Sequence, residues 1–201
     1  MHVVTIASVP DIRSRIEALA GPRPTWRVVN ETADRRGLLA TTAAIMAEHG
    51  LSIKVAKATT TDGLARQELE VTLIDGAPEP NWGVVGVDLR AALLGERARP
   101  LPSFKAEGEA AARVLPDGPQ RWIVHISAPD TLGLLAVTAA WFVDHGLNVE
   151  SAEIGGEFGW AVDTFVVTGD LPAGGERRLT ALLSGRETAA GPDRRGSDQR
   201  R

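Results

Sequence analysis

The sequence lacks several features that mark familiar classes of protein. None of its 201 residues is cysteine, which excludes disulfide bonds and thiolate chemistry. There is no tyrosine and there are only four phenylalanines, too few aromatic residues for a sheet on which RNA bases stack. No apolar run approaches the roughly 20 residues that a membrane span needs, and the opening residues do not have the pattern of a signal peptide. We therefore expect a cytoplasmic protein with no membrane partner.

The net charge and the motifs of the sequence exclude further classes of function. The formal net charge is −4, with no dominant basic stripe, so we expect no nucleic-acid partner. The sequence contains no phosphate-binding glycine loop, no Ser/His/Asp set and no histidine with a second ligand at metal-binding spacing. An enzyme of acylphosphatase type would need an arginine and an asparagine converging on one loop, and no loop offers that pair. We expect a protein that is not an enzyme and that uses no cofactor or metal.

One segment of the chain occurs twice. Residues 130–136, with the sequence Asp-Thr-Leu-Gly-Leu-Leu-Ala, repeat residues 34–40, with the sequence Asp-Arg-Arg-Gly-Leu-Leu-Ala. The offset of 96 residues (34 to 130) holds without a gap from the strand before this segment to the strands that follow the helix. At the end of the helix, His49-Gly50-Leu51 matches His145-Gly146-Leu147. An ungapped match of this length indicates that the chain consists of two copies of one unit.

Each copy has the same predicted order of elements. A β-branched strand leads into the aspartate loop, and apolar residues at helical spacing then run to a His-Gly stop. Two strands follow as a hairpin, around the turns at 61–63 and 155–159, and a second helix comes after them at 81–94 and at 176–183. The pattern predicts the α+β class: two ferredoxin-like βαββαβ units with antiparallel sheets.

The two ends of the chain fit this pattern less well. Residues 2–8 are predicted as a strand and residues 10–20 as a helix, before a break at 21–24. The first unit can close its sheet with a strand near Phe104 or at 111–115, whereas the second has no room for one, and we hypothesise that Val3–Ala7 fills that place. The predicted organisation is an N-terminal strand and helix at 1–24, a first unit with its spacer at 25–115, a second unit at 121–184 and a disordered tail at 185–201.

The pattern resembles the ACT domain, a small amino-acid-sensing module. The second copy carries the closer match, with Asp130, residues 133–135, residues 146–149 and residues 163–167. The first copy has Ser52 for the common asparagine, and both copies lack the proline usual before the loop glycine. The spacer at 81–93 is similar to the segment that joins the paired ACT domains of bacterial nitrogen-sensing uridylyltransferases, whose catalytic domains are not present in this sequence.

The resemblance implies a non-catalytic, regulatory tandem repeat that binds an amino acid between its units and acts as a homodimer or on a regulated protein partner. The alternative is a protein–protein interaction module that no longer binds a ligand. The residues implied to contact the ligand are Asp130, Thr131, Leu132, Gly133, Leu134 and Asn148, with a weaker counterpart at Asp34, Arg35, Arg36, Gly37 and Leu38.

Simpler structural roles compete with ligand binding at these positions. Asp34 and Asp130 can serve as helix N-caps, and the two loop glycines can merely permit a tight turn. Asn148 suits a position where a turn enters a strand. A further difference between the copies concerns charge: Lys54 and Lys57 align with Glu150 and Glu153. If the units pack side by side through these strands, opposite charges would face each other and select the pairing.

Overall fold

The structure is a computed structural model that describes residues 3–9, 12–100 and 104–186. Within these residues the chain forms ten strands and four helices. The strands are β1 (Val3–Val9), β2 (Ile12–Leu19), β3 (Thr25–Ala33), β4 (Leu51–Thr61), β5 (Leu64–Leu73), β6 (Ala111–Pro116), β7 (Arg121–Pro129), β8 (Asn148–Ile154), β9 (Gly156–Glu157) and β10 (Trp160–Thr168). The helices are α1 (Leu38–Glu48), α2 (Trp82–Leu94), α3 (Leu134–Asp144) and α4 (Gly175–Leu183).

All ten strands belong to one antiparallel sheet. Its order is β1-β2-β3-β5-β4-β8-β10-β7-β6, and the short strand β9 pairs with β10. The first unit contributes β2-β3-β5-β4 with α1 and α2, and the second contributes β8-β10-β7-β6 with α3 and α4. The prediction of an α+β protein built from two ferredoxin-like units with antiparallel sheets is confirmed.

The closing strand of each unit comes from an unexpected part of the chain. In the βαββαβ order that strand would follow the second helix. Here it precedes the first strand: β2 forms a hairpin with β3, and β6 forms one with β7. Each unit is therefore completed by a short local turn instead of a crossover from its last helix, and the order along the chain is ββαββα.

Two expectations for the ends of the units are corrected by this arrangement. The strand predicted at 111–115 exists, but it pairs with β7 of the second unit instead of closing the first. Because β6 fills that edge, Val3–Val9 does not complete the second sheet; it pairs with β2 at the opposite end. The tail predicted as disordered lies, from residue 187 onward, outside the described residues.

The helix predicted within residues 10–20 is a strand from Ile12 to Leu19. Ile12 and Ile16 are four residues apart, a spacing that suits one face of a helix and one face of a strand equally well. Burial follows the strand period: Ile12, Ser14 and Ile16 are buried, whereas the two arginines between them are exposed. Pairing with β3 over the whole of β2 satisfies the backbone and decides between the two periods.

The two units join through β4 and β8. Their antiparallel register places Lys57 opposite Glu153 and Ala58 opposite Ala152. Lys57 and Glu153 are equivalent positions in the two copies, so the units are related by an approximate two-fold axis that passes through this pair. Side-by-side packing through these strands was one of two alternatives, the other being unrelated solvated faces. The units do pack in this way, but Lys54 and Glu150 do not face each other: Lys54 pairs with Asp130, and Glu150 pairs with Arg121.

The helices form one layer against the sheet, with α1 and α3 in contact at its centre. Gly37, at the start of α1, lies so close to α3 that an added Cβ would come within 3.3 Å of a Val143 methyl group. The core of each unit lies between helix and sheet, as shown by the edge-to-face contact of Phe142 with Phe165, whose ring centroids are 5.1 Å apart. In the described part of the chain, no helix is long and apolar enough to cross a membrane.

We predict that Glu153→Lys weakens the junction between the units. The new lysine would face Lys57 directly, and like charges at opposed strand positions destabilise a sheet by up to about 1 kcal/mol. The measurement is the free energy of unfolding from urea titration, with and without 0.5 M NaCl, because salt should reduce the loss.

The matched control is Glu157→Lys, which makes the same charge change on the exposed strand β9. Equal losses for both variants would contradict the register between β4 and β8.

Candidate functional site

The aspartate loop has the same geometry in both units. Gly37 and Gly133 occupy the left-handed region, with φ of 88° and 85°, and α1 and α3 begin directly after them without a side-chain cap. The interpretation of Asp34 and Asp130 as helix N-caps is therefore wrong, since both lie three residues before the cap position. Their backbone N–H groups bind the hairpin turns of their own units, at Gly63 O (2.8 Å) and Gly159 O (2.9 Å). Both side chains remain loop carboxylates.

The first of two clefts between the units, here called cleft A, has a cavity volume of about 60 Å³. The second unit contributes its aspartate loop, the start of α3 and part of β10, and the first unit contributes α1 and β4. Of the residues named from the sequence, cleft A includes Asp130, Thr131, Gly133 and Leu134, whereas Leu132 is not part of its lining.

A salt bridge crosses the boundary between the units at cleft A. The Lys54 ammonium on β4 lies 2.7 Å from the Asp130 carboxylate in the loop of the second unit. Both side chains are partly exposed, so solvent screens the pair and its contribution to stability is at most about 1 kcal/mol. The salt bridge holds the Asp130 carboxylate in place at the interface between the two units.

Asp163, on β10, belongs to the segment 163–167 that carries the family resemblance, but it was not among the residues expected to contact the ligand, although it lines cleft A. Its side chain is 1% exposed, and neither carboxylate oxygen has a side-chain partner among the described residues. The backbone N–H of Gly155 lies close to the carboxylate without meeting the geometry of a hydrogen bond. The buried hydroxyl oxygen of Thr131 in the same cleft also has no partner there. A charge left unpaired in the interior is costly, so such groups are rare unless something binds them.

Burial raises the pKa of Asp163 from 3.8 to about 7. The nearby Asp130 carboxylate raises it further, because two negative charges repel, and the backbone N–H of Gly155 acts in the opposite direction. Asp163 is therefore about half protonated near neutral pH. The burial of Asp163 could have been predicted from the sequence. It lies two residues from both Ala161 and Phe165, and alternate residues of a strand share one face, here the face that packs on the core.

The second cleft, here called cleft B, is related to cleft A by the approximate two-fold axis and has a cavity volume of about 30 Å³. It includes Asp34, Arg35, Gly37 and Leu38 of the first unit, whereas Arg36 is not part of its lining. Asn148 also lies here. The structure thus places Asn148 with the loop of the first unit and away from Asp130, with which the family resemblance had grouped it.

Three of the polar side chains that line cleft B are bound to other protein groups. Arg35 donates to the backbone carbonyl oxygens of Ala92 (3.2 Å) and Leu93, at the end of α2. Arg66 pairs with Glu31. Buried Gln67, which occupies the position equivalent to Asp163, accepts a hydrogen bond of 2.7 Å from the Thr42 hydroxyl. The two clefts therefore share a shape and differ in chemistry.

No protein-family model matches the chain, and no curated protein matches it. Solved structures with a similar arrangement include aspartate kinase from Synechocystis, at 14% identity over 80% of this chain and 26% of that one, with a TM-score of 0.44. The chain thus spans about a quarter of that protein's length.

Two further structures are similar over nearly their whole length. One is a putative glycine cleavage system transcriptional repressor (12% identity, 80% of this chain and 91% of that one, TM-score 0.28). The other is the regulatory subunit of aspartate kinase from Thermus thermophilus in its ligand-free form (13% identity, 88% and 95%, TM-score 0.26).

We predict that Asp163→Asn stabilises the protein, and more so at high pH. Because the pKa of Asp163 is higher in the folded chain than in the unfolded one, the folded state binds the extra proton between about pH 4 and pH 7, and stability falls as the pH rises through that range. Asparagine removes the penalty, which amounts to about 4 kcal/mol above pH 7 and is nearly absent at pH 4.

The measurement is the free energy of unfolding of both proteins from pH 4 to pH 8. The exposed Asp75→Asn serves as a control for the loss of one carboxylate. If the gain in the free energy of unfolding for Asp163→Asn does not change with pH, burial does not raise the pKa of this carboxyl group.

Proposed function

We propose that this protein is a non-catalytic regulatory module of the ACT type, which binds an amino acid in a cleft between its two units. The observation that carries the proposal is the construction of the clefts: each has the aspartate loop of one unit on one side and a helix and strand of the other unit on the opposite side. A ligand there contacts both halves at once.

The chemistry of cleft A suits a zwitterion. The uncapped start of α3 lines the cleft, and the free N–H groups of a helix start favour an anion such as an α-carboxylate. The carboxylates of Asp130 and Asp163 offer the opposite charge for an ammonium group. Ala43, Ala47 and Leu51 of the first unit supply an apolar wall for the ligand side chain. A concave, mostly apolar site with a few placed polar groups is the usual form of a small-molecule site.

Regulation follows from the position of the ligand between the halves. A ligand that binds one arrangement of the two units better than another shifts their populations toward that arrangement. The junction that would respond consists of the β4–β8 pairing and the contact of α1 with α3. A change there alters the surface that a second copy of the chain or a regulated protein would meet.

Several finer points remain predictions: the resemblance to the paired ACT region of the uridylyltransferases, the homodimer and the cytoplasmic location. Ligand contacts by the residues named from the sequence also remain a proposal, and the lining of the two clefts supports it least for Leu132 and Arg36.

A second function, as a protein interaction module without a ligand, is favoured by an apolar patch of Phe158, Trp160 and Val162. These side chains are exposed, Phe158 to 97%.

We predict that one or two of the twenty amino acids, at millimolar concentration, raise the melting temperature of the purified protein. A ligand that binds only the folded state stabilises it by mass action. Asp130→Ala should abolish the shift, because it removes one of the two carboxylates of cleft A and leaves the Lys54 ammonium unpaired there, where it repels the ammonium of the ligand. The control is Asp75→Ala, an exposed carboxylate outside the lining of both clefts, which should leave the shift unchanged.

If none of the twenty amino acids shifts the melting temperature, the proposal of an amino-acid sensor is overturned and the interaction module is favoured. Persistence of a shift in Asp130→Ala, with the fold intact by circular dichroism, would move the site away from cleft A.

A further inference from the structure

The two clefts differ most at one pair of buried positions. In the first unit, Thr42 on α1 donates a hydrogen bond to Gln67 on β5, which satisfies both side chains. The equivalent residues in the second unit are Thr138 on α3 and Asp163 on β10, offset by the same 96 residues. Both are buried, and neither the Thr138 hydroxyl nor the Asp163 carboxylate has a side-chain partner among the described residues.

The cause lies in the length of the side chain. Aspartate is one methylene shorter than glutamine, so at this position it does not reach the threonine that its counterpart binds. The first unit thus uses its polar pair to close the space between helix and sheet. The second unit leaves a buried carboxylate in the lining of cleft A, close to the backbone N–H of Gly155 and without a side-chain partner among the described residues.

We propose that cleft A is the one ligand-binding cleft of the chain, and that the Asp163 carboxylate binds the ammonium group of the ligand, whereas Gln67 closes the equivalent place in cleft B. This inference rests on the proposed function, and it adds to it the group recognised, the number of sites and a role for a residue outside the aspartate loop.

The charges around Asp163 favour an ammonium over other groups. Among the residues that line cleft A, the only other charged side chains are Asp130, in the loop between β7 and α3, and Lys54 on β4. Lys54 is already paired with Asp130 at 2.7 Å, so ionised Asp163 leaves the cleft with one uncompensated negative charge. No group of three His, Cys, Asp or Glu residues in the described part of the chain could hold a metal ion. A primary ammonium supplies both the charge and several N–H donors.

Ligand binding is then coupled to the release of a proton. The neighbour of Asp163 on β7, Ile126, is apolar, and so is Ile154 in the lining of the cleft, which leaves Asp130 and Lys54 as the charged groups of that lining. Only ionised Asp163 accepts an ammonium, and the group titrates at about pH 7. The affinity for an amino acid should therefore fall about tenfold from pH 8 to pH 6, where most of the protein carries a proton on this carboxyl group.

The test is isothermal titration calorimetry on the full chain with each of the twenty L-amino acids, at pH 8 and pH 6. Every amino acid that binds is compared with the α-hydroxy acid of the same side chain, such as L-lactate for L-alanine, which keeps the carboxylate and lacks the ammonium. We expect one site per chain, affinity at least a hundredfold weaker for the hydroxy acid, and the tenfold loss at pH 6. In buffers of different ionisation enthalpy, the measured heat at pH 7 should report the released proton.

The decisive variant is Asp163→Gln, which copies the first unit by restoring a partner for Thr138. It should lower the affinity at least a hundredfold while keeping or raising the melting temperature. If this variant does not fold, Asp163→Asn removes the same charge with a side chain of nearly the same volume as aspartate. The comparisons with the hydroxy acids and between pH 8 and pH 6 use the unaltered protein and need no variant.

The possible failures are distinguishable. If an amino acid binds but its hydroxy acid binds equally, or the affinity does not change with pH, the proposed function stands and the role of Asp163 is overturned. Two sites per chain, or a loss in Asp34→Ala as large as that in Asp163→Gln, would overturn the assignment to cleft A alone. If no amino acid binds at pH 8, both the proposed function and this inference fall.

Discussion

The antiparallel pairing of β4 with β8 is the constraint on which the rest of the structure depends. It converts two four-stranded units into one continuous sheet and brings α1 and α3 together above the junction. Because equivalent residues face each other across it, as Lys57 faces Glu153, each aspartate loop is placed against the opposite unit. Neither cleft could form within a single unit, so the register of a few residue pairs determines where a ligand can lie.

Duplication followed by local divergence accounts for the chemistry of the two clefts. The loop glycines, with φ of 88° and 85°, and the backbone bonds from Asp34 and Asp130 to the hairpin turns keep the two frames nearly superposable. The side chains on these two similar backbones have diverged. One cleft ties its arginines and its glutamine to protein partners, whereas the other keeps a lysine across the unit boundary and a buried carboxylate. The same backbone thus joins Thr42 to Gln67 in one unit and leaves Thr138 and Asp163 without a side-chain partner in the other.

The sequence predicted what depends on local pattern and missed what depends on partners far along the chain. The constant offset identified both copies, and the helix stops at His49 and His145 agree with the structure because periodicity and glycine act locally. Residues 111–115 were recognised as a strand, but no periodicity says which unit a strand will join. Ile12 and Ile16 suit both a helix and a strand, and pairing with β3 decided between them. Asn148 lies in the opposite cleft because of the two-fold arrangement, which sequence spacing does not reveal.

The position of the closing strands has a consequence for how the chain assembles. With β2 before β3 and β6 before β7, each unit completes its sheet from residues that lie earlier in the chain than its last helix, through hairpins of low contact order. The first half of the chain therefore contains every strand of its own unit. Both clefts need the pairing of β8 with β4, so neither can form before the second half of the chain is present.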